Sequence, residues 1–277
     1  MDTGTLAGRT VSRIGYGAMQ LARLRDDRDA AIALLRRAVE LGVDHVDTAH
    51  VYGNGFVNGL LREALRPADD VLVATKVGID TDPAGRLPMR PAQRPEELRA
   101  SVEDNLRGLG VERLPLVYLR RLDVGARIPV AAVAIEDQLA AMVAMRDAGM
   151  IGAIGLSGVT LDGLHRAAPA GVAAVQNPYS LLARDHEDLL DLCTAEGIAW
   201  VPFHPLGGAT PGTPKVTDDP AVQAAARKLA ATPAQVGLAW LLGRAPNVLL
   251  IPGTGNADHL EANLAAGKIT VDGSTLA

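Results

Sequence analysis

Short apolar runs alternate with longer amphipathic stretches along almost the whole chain, and this alternation restricts the possible folds more than any other feature. The runs have the length of strands and are apolar on both faces, as in a parallel sheet covered by helices. They lie at 14–19, 43–48, 71–77, 116–119, 151–156, 172–176, 198–203 and 248–252. The clearest helical stretches are 29–41, 95–109, 135–148, 185–196 and 219–231. Most of them end at a glycine, which is typical of the loop between a helix and the following strand.

Eight strand–helix units without a change of composition predict a single (β/α)8 barrel domain over residues 1–277. A β-hairpin over 5–11, turning at Ala7-Gly8, is expected to precede the barrel. A doubly wound sheet shows the same alternation, but no GxGxxG follows the first strand. The loops 78–95 and 205–214, rich in Pro and Gly, are expected to overhang the active end of the barrel.

Composition argues against several classes of protein. The net charge of -5 and the absence of a basic cluster argue against nucleic acid and anionic membranes as partners. The single cysteine, Cys193, excludes an internal disulfide, and its amphipathic context predicts a buried, inert thiol. Neither a leader with an apolar core nor a long uncharged apolar window is present, which predicts a cytoplasmic protein.

Polar or special residues end nearly every apolar run. In a parallel barrel these positions meet at one rim, where barrel enzymes carry their chemistry. Polar residues also simply begin loops, which would account for Gln20 or Ser157. That explanation is poor for Asp47 and Lys76, because apolar strand residues flank both. The residues at the strand ends are Gln20, Asp47, Lys76, Arg120, Ser157, Gln176, His204 and Gly253.

Asp47, Lys76 and Tyr52 form the most informative set. A buried strand lysine needs an anionic partner, and Asp47 is the natural one. A phenol held beside an ammonium can donate a proton to a carbonyl oxygen while hydride reaches the carbonyl carbon. A structural ion pair with an unrelated tyrosine remains the alternative interpretation.

A metal site is not expected. His45 and His50 flank Asp47, but no other strand end except that of His204 offers a histidine or cysteine. His45 is expected to face the core or a helix, and His50 to lie at the rim.

The motifs that contain these residues resemble those of a known family. DTAHVYG (47–53) resembles the DTAxxYG motif of aldo-keto reductases, and ATKVG (74–78) is similar to the lysine strand of that family. Similarity extends over essentially the whole chain, through IGLSGVT, VQNPYSLLAR, VPFHPLGG and LLIPGT. Within the family, the chain most resembles the branch that reduces pyridoxal.

The resemblance implies reduction of an aldehyde or ketone by NADPH, with NADH possible and pyridoxal as one substrate. It makes Tyr52 the general acid, tuned by Lys76 and Asp47. It also implies that Ser157 and Gln176 hold the nicotinamide carboxamide and that Phe203 stacks on its ring. The other cofactor-binding residues it implies are Gly17, Ala18, Met19, Asp47, His204, Leu206, Gly207, Gly253, Thr254, His259 and Asn263.

Three departures from the family pattern concern the site. Arg120 stands where the family usually has a catalytic histidine, and arginine cannot relay a proton. It can still donate a hydrogen bond to the carbonyl oxygen or bind an anionic group of the substrate, so a retuned enzyme is expected. The usual Ser-Asn pair is Ser157-Gly158, and no Lys or Arg lies between Gly253 and Asn263 to select NADPH over NADH.

Two other functions stay open at this stage: a biosynthetic ketoreductase for a specialised metabolite, and a non-catalytic regulatory protein that binds a nicotinamide nucleotide. A small carbonyl compound is the expected partner, and a monomer or weak homo-oligomer the expected state. The substrate pocket is expected to involve Met19, Phe56, Met89 and Val124.

Overall fold

The computed structural model describes residues 2–82, 84, 88–124, 133–208, 213–272 and 275–276. Parts of the two predicted loops, and the terminal residues of the predicted domain, lie outside the described residues.

A parallel sheet of seven strands forms most of the architecture. Its order is β3-β4-β5-β8-β9-β10-β11, and each strand is parallel to its neighbours. Because consecutive parallel strands are joined by helical crossovers, all their carboxyl ends lie at one end of the molecule. The strands are β1 Thr3–Leu6, β2 Arg9–Ser12, β3 Tyr16–Gly17, β4 His45–Asp47, β5 Leu72–Val77, β6 Ile79–Thr81, β7 Met89–Pro91, β8 Leu114–Arg120, β9 Ile151–Ser157, β10 Val172–Gln176 and β11 Ala199–Trp200.

The segment 248–252 joins the two edges of this sheet. On one side the amide of Leu249 donates to the carbonyl of Trp200 at 2.8 Å. On the other side the amide of Gly15 donates to the carbonyl of Leu250, also at 2.8 Å. The seven strands and this eighth segment therefore close a cylinder. The predicted (β/α)8 fold is confirmed, and all eight predicted strand segments take part in it.

Nine α-helices are present among the described residues, and those that follow barrel strands pack around the cylinder. Helix α3 has the predicted bounds, and the other predicted helices differ by a few residues at their ends. The helices are α1 Arg28–Glu40, α2 Phe56–Ala64, α3 Pro95–Leu109, α4 Ile135–Asp147, α5 Leu161–Ala167, α6 Glu187–Ala195, α7 Pro220–Lys228, α8 Pro233–Leu242 and α9 Ala257–Ala265.

Apolar side chains fill the space on both faces of the sheet. One cluster lies between strands and helices. A second fills the barrel, where Leu72, Leu116 and Leu249 are fully buried. Leu6 and Val11 of the hairpin join this inner cluster, so the hairpin covers the barrel at the end away from the strand carboxyl termini. The hairpin is slightly longer than predicted.

Some sequence predictions need small changes. Gln20 and Met19 do not end a strand, because the chain enters a 3-10 helix at Ala18–Arg23 directly after β3. The loop 78–95 is not purely irregular, since β6 and β7 pair antiparallel within it. Cys193 is buried as predicted, and burial raises the pKa of its thiol to about 12. Trp200 is fully buried, whereas Trp240 is only half-buried.

Within the described residues, no helix combines the length and the apolar character that crossing a membrane requires.

Candidate active site

Asp47 and Lys76 form an ion pair inside the carboxyl end of the barrel. Asp47 is the last residue of β4, Lys76 lies near the end of β5, and both are buried. Lys76 Nζ contacts Asp47 Oδ1 and also donates to the carbonyl oxygen of Thr48 at 3.1 Å. The lysine thus has the anionic partner that its burial requires.

Tyr52 lies in the loop after β4 and faces this ion pair. A tight turn forms the loop, in which the amide of Gly55 donates to the carbonyl of His50 at 2.7 Å. The turn holds the half-buried phenol ring of Tyr52 with its centroid 5.3 Å from Lys76 Nζ. The tyrosine and the lysine are therefore close neighbours at the same end of the barrel.

Arg120 approaches the same phenol from the end of β8. Its Nη2 lies 3.5 Å from the Tyr52 hydroxyl, and its Cζ lies 5.8 Å from the ring centroid. The residue is nine-tenths buried, with 9% of its surface exposed, and Nη1 has no hydrogen-bond partner. Tyr52 is consequently flanked by two cations, one from β5 and one from β8.

Ser157 and Gln176 continue the site along the next two strands. The register places Arg120 beside Ser157 and Ser157 beside Gln176. Gln176 Nε2 donates to Asp47 Oδ2 at 2.7 Å, whereas the buried Oε1 of Gln176 accepts no hydrogen bond. Both carboxylate oxygens of Asp47 are thus occupied, and an amide oxygen of Gln176 is left for another donor.

Tyr118 belongs to this centre although the sequence analysis did not select it. It is fully buried in β8 and stands in register with Lys76. Burial and the negative charge of Asp47 both raise the pKa of the Tyr118 phenol, so the phenol is neutral. The available signal was its position two residues before Arg120, because residues two apart in a strand share a face.

The loop after β11 carries the next predicted cofactor residues. The half-buried ring of Phe203 lies edge-to-face with His204, at 4.9 Å between centroids. His204 and Gly207 both have left-handed backbone conformations. The side chain of Leu206 is half-buried and packs against the core.

The predicted adenosine end lies around the start of α9. Thr254 is buried, and its carbonyl oxygen accepts from the Tyr16 hydroxyl at 2.5 Å. His259 is exposed in the first turn of α9, where its amide donates to Asn256 Oδ1, and Asn263 is half-buried.

Two glycines that were predicted to bind cofactor have an evident structural role. A Cβ on Gly17 would collide with the carbonyl oxygen of Ile251, and one on Gly253 would lie 2.6 Å from the carbonyl oxygen of Gly17. Glycine at both positions therefore lets β3 and the segment 248–252 approach closely. Ala18, next to Gly17, is fully buried, so its side chain is part of the core.

A buried amide network, missed by the sequence analysis, ties the loop 78–95 to Arg120. Gln93 Nε2 donates to the carbonyl oxygens of Gly78 and Arg120, the latter at 2.8 Å. Gln138 in α4 donates in turn to Gln93 Oε1 at 2.8 Å. The backbone that carries Arg120 is thereby fixed to a loop and to a helix.

A second buried network that the sequence did not predict lies on the outer side of β4 and β5, where these strands face helices α2 and α3. Thr48 donates to Asn58 in α2 at 2.9 Å, and Thr75 donates to Asn105 in α3 at 2.6 Å. Asn58 links the two halves by donating to Asn105 at 3.0 Å. All four residues are fully buried. We call Thr48, Asn58, Thr75 and Asn105 the outer network, and Asp47, Lys76, Arg120 and Gln176 the inner cluster.

Of the residues predicted to line a substrate pocket, two are widely exposed: Met19 at 46% and Met89 at 41%. Phe56 is half-buried and packs under the guanidinium of Arg25, 5.0 Å from its ring centroid. Val124 is half-buried and is the last residue of the described range 88–124.

His45 is buried as predicted, with its Nδ1 beside Asp44, and His50 is half-buried in the loop that carries Tyr52. Across the described ranges, no group of His, Cys, Asp or Glu side chains could hold a metal ion.

The arrangement is suited to protonating an oxygen that becomes negatively charged. A phenol is available as the donor, and two fixed cations near it stabilise negative charge on the phenol or on an oxygen in front of it.

Comparison with known proteins agrees with this geometry. The model of the Aldo/keto reductase family matches residues 13–277. A pyridoxine 4-dehydrogenase of Escherichia coli (strain K12) is 43% identical over 276 residues, which cover 97% of this chain and 93% of the relative. An uncharacterised oxidoreductase of Schizosaccharomyces pombe is 36% identical, over 96% of this chain and 85% of its own length.

Solved structures give the same picture of the fold. An aldo-keto reductase of Klebsiella pneumoniae in complex with NADPH matches 99% of this chain and 92% of its own, with a TM-score of 0.82 and 24% identity. Another from the same organism, in complex with NADP and acetate, matches 99% and 93% with a TM-score of 0.79 and 26% identity. The family match over nearly the whole chain, the identity to these relatives and the closed barrel agree: this protein belongs to the aldo/keto reductase family.

Proposed function

We propose that this protein reduces an aldehyde to the corresponding alcohol with NADPH, and that pyridoxal is its substrate. As a family member, the chain is an oxidoreductase. The observation that carries the proposal is the Tyr52 hydroxyl at the open end of the barrel, flanked by Lys76 and Arg120. Similarity to the pyridoxine 4-dehydrogenase of E. coli supports pyridoxal as the substrate.

The residues of the site fit a nicotinamide cofactor. The buried Oε1 of Gln176 lacks a donor, and a carboxamide NH2 group is a donor that such an atom requires. Ser157 lies beside it in register and would hold the other end of the carboxamide. When bound, reduced nicotinamide supplies a hydride to the carbonyl carbon.

Other parts of the same rim would hold the rest of the nucleotide. We assign Phe203 to the nicotinamide ring, and the loop amides and the start of α9 to the phosphates and the adenosine. The assigned residues are Gly17, Ala18, Met19, His204, Leu206, Gly207, Gly253, Thr254, His259 and Asn263. For Ala18 the assignment concerns backbone atoms, because its side chain is fully buried in the core.

The side chains of the inner cluster then act on the proton. Tyr52 donates its proton to the carbonyl oxygen. Lys76 favours the phenolate that this leaves, and Asp47 keeps the lysine charged and oriented. Arg120 cannot act as a proton relay, so its contribution is a fixed positive charge and hydrogen-bond donors.

The proposal includes the setting in which the enzyme works. We infer one domain over residues 1–277, because the cylinder closes only when the segment 248–252 pairs with Ile14. We also infer a cytoplasmic enzyme, monomeric or weakly associated, that binds no nucleic acid. A single cooperative unfolding transition, cell fractionation and light scattering would test these statements.

The decisive test is steady-state reduction of pyridoxal with NADPH and with NADH, for the native protein and for Tyr52→Phe. We expect turnover by the native protein and a loss of about 10²–10⁴-fold in kcat for the variant, since general acid catalysis is removed. Tyr179→Phe is the matched control: its hydroxyl contacts Glu187 and Arg244, away from the inner cluster. Unchanged turnover by Tyr52→Phe would refute the role of Tyr52, and tight nucleotide binding without turnover would indicate a regulatory protein.

A further inference from the structure

Arg120 is a buried cation without an anionic partner. Only 9% of its surface is exposed, its Nη1 donates to no hydrogen-bond acceptor, and it forms no salt bridge with the described residues. Its one side-chain contact of hydrogen-bond type is the 3.5 Å approach of Nη2 to the Tyr52 hydroxyl, which is long for such a bond. A buried guanidinium left in this state is costly, so its position calls for a bound anion.

The neighbouring carboxylates are already paired. Lys76 and Gln176 occupy the two oxygens of Asp47. Asp123, which follows Arg120 in the chain, pairs with Arg121 at 3.1 Å. Asp47 and Lys76 cancel, and Arg120 leaves the inner cluster with one uncompensated positive charge.

Two acidic groups near the loop 78–95 are also occupied. Asp80 pairs with Arg90 at 3.1 Å, and Glu97 pairs with the same arginine at 2.8 Å. No acid of the described chain therefore neutralises Arg120 by an ion pair, and a ligand is the remaining source of negative charge.

Geometry restricts where that charge lies on the ligand. A carbonyl oxygen that takes a proton from Tyr52 must lie about 2.7 Å from its hydroxyl. Arg120 approaches that same hydroxyl, and a guanidinium presents its donors as a planar fork that two neighbouring oxygens can share. An anionic oxygen next to the carbonyl oxygen would meet this fork, whereas one at the far side of the substrate would not.

The fork is also held in place. Gln93 fixes the carbonyl oxygen of Arg120 at 2.8 Å, and Arg120 stands in register with Ser157 of β9. Since the backbone of Arg120 is tied on both sides and the residue is nine-tenths buried, the movement of the guanidinium is restricted before the substrate arrives.

We propose that Arg120 determines specificity by binding an ionised hydroxyl on the ring carbon adjacent to the one that bears the aldehyde. The preferred substrates are thus ortho-hydroxyaryl aldehydes, in which phenolate and carbonyl oxygens lie side by side. Pyridoxal belongs to this class, because its ring hydroxyl is adjacent to its aldehyde. This inference rests on the proposed function.

The phenolate oxygen of the substrate takes no part in the redox step. A hydride from the reduced nicotinamide forms the new C–H bond at the aldehyde carbon, and the carbonyl π electrons move to oxygen. That oxygen takes the proton of Tyr52, which gives the alcohol and the oxidised cofactor. Arg120 stays bound to the adjacent oxyanion throughout.

The test compares kcat/KM for 2-hydroxybenzaldehyde and 2-methoxybenzaldehyde, which differ in the ability to ionise, with 3-hydroxybenzaldehyde as a positional control. We expect the native protein to prefer the 2-hydroxy compound to both others by about 10–100-fold, as a charged hydrogen bond predicts. The preference over the methoxy compound should rise with pH through the pKa of the substrate's own phenol.

Variants at Arg120 separate charge from packing. Arg120→Gln should reduce the 2-hydroxy to 2-methoxy ratio to near one and remove its pH dependence, and Arg120→Lys should keep part of it. Arg120→His should keep a donor for the carbonyl oxygen while the ratio falls. If a variant does not fold, the kcat/KM ratios of the native protein for the three benzaldehydes still test the preference for an ortho hydroxyl.

The outcomes distinguish this inference from the proposed function. If the native protein reduces none of these aldehydes, nor pyridoxal, the proposed function fails. If it reduces all three benzaldehydes equally well, or if Arg120→Gln keeps the native ratio, only the role of Arg120 is overturned.

Discussion

The inner cluster and the outer network meet at β4 and β5, where they lie on opposite faces of the sheet. Asp47 and Lys76 face into the barrel, whereas Thr48 and Thr75, each adjacent to one of them in the chain, face helices α2 and α3. Successive residues of a strand point to opposite sides, so one register sets both groups. Both are deeply buried, yet they differ in composition and in how completely their atoms are paired.

In the outer network, every buried side-chain nitrogen and oxygen has a partner, and none of the groups is charged. In the inner cluster, Arg120 Nη1 and Gln176 Oε1 lack partners and three side chains are charged. A satisfied neutral network contributes stability and a defined packing, whereas unpaired polar atoms reduce stability unless a ligand completes them. The difference therefore separates the residues that hold β4 and β5 in place from those that meet substrate and cofactor.

The largest effect is expected from breaking the ion pair of the inner cluster. Lys76→Met should lower kcat by about 10²-fold or more, because the ammonium near Tyr52 is lost. It should also reduce the free energy of unfolding by about 3–5 kcal/mol, because Asp47 remains as an unpaired buried charge. Urea unfolding and steady-state kinetics measure the two effects separately.

The double variant Lys76→Met/Asp47→Asn is the matched control for that experiment. Removing both charges should restore most of the stability but none of the activity. Recovery of activity along with stability would mean that the ion pair is only structural and that the inner cluster does not differ from the outer network in kind.

Asn105→Ala should lower the stability somewhat less than Lys76→Met does and, unlike that variant, should leave kcat nearly unchanged. The substitution leaves the donors of Thr75 and Asn58 without their acceptor, which should cost about 3 kcal/mol of unfolding free energy. Well below the unfolding temperature, kcat should stay within about threefold of the native value. Ser101→Ala, one turn away in α3, is the control and should leave both quantities nearly unchanged. A large loss of kcat in Asn105→Ala with native-like stability would contradict the separate roles of the inner cluster and the outer network.

The smallest effect concerns pH, and it uses Glu97 at the start of α3. Burial raises the pKa of its carboxyl, but the hydrogen bonds from the Arg94 amide and from the Arg90 and Arg94 side chains outweigh this and lower the pKa from 4.5 to about 2. Because the pKa is depressed in the folded state, the stability from these contacts is present above pH 4.5 and is lost as pH falls toward 2.

Glu97→Gln should cost about 1 kcal/mol at neutral pH and should flatten the dependence of stability on pH between 4.5 and 2. Asn105→Ala removes no titratable group. It should therefore lower the free energy of unfolding by an amount that does not change with pH. Thermal unfolding across this pH range distinguishes the two. A parallel shift in Glu97→Gln would show that its carboxylate contributes through packing alone.

Sequence reasoning was most successful where a local pattern carries the information. The apolar runs located all eight barrel segments, and Pro95 and Gly110 set the limits of α3. The polar residue at the end of β4 and the lysine in β5 could be expected to meet, because parallel strands place their carboxyl ends together. Arg120 and Gln176 joined them for the same reason.

Local patterns failed where a residue depends on a distant partner. In the sequence, Gln93 and Gln138 are indistinguishable from ordinary polar residues of a loop and a helix. Their role comes from their contact with each other and from the contact of Gln93 with the carbonyl oxygen of Arg120. Asn58 and Asn105 likewise gain meaning only when α2 and α3 pack side by side. Gly17 and Gly253 also have a structural role that only the fold reveals, because two backbones meet there too closely for a Cβ.

By itself, the sequence determined the alternation of strands and helices, the closed parallel barrel that follows from it, and the rim at which the polar strand ends collect. Periodicity and helix-ending residues act over a few positions, so one chain read in order contains them. Only the tertiary structure decided which polar atoms find partners, because pairing depends on elements distant in the chain that packing brings together. In the folded protein every polar side-chain atom of the outer network has a partner, whereas the charge of Arg120 beside Tyr52 has none among the described residues.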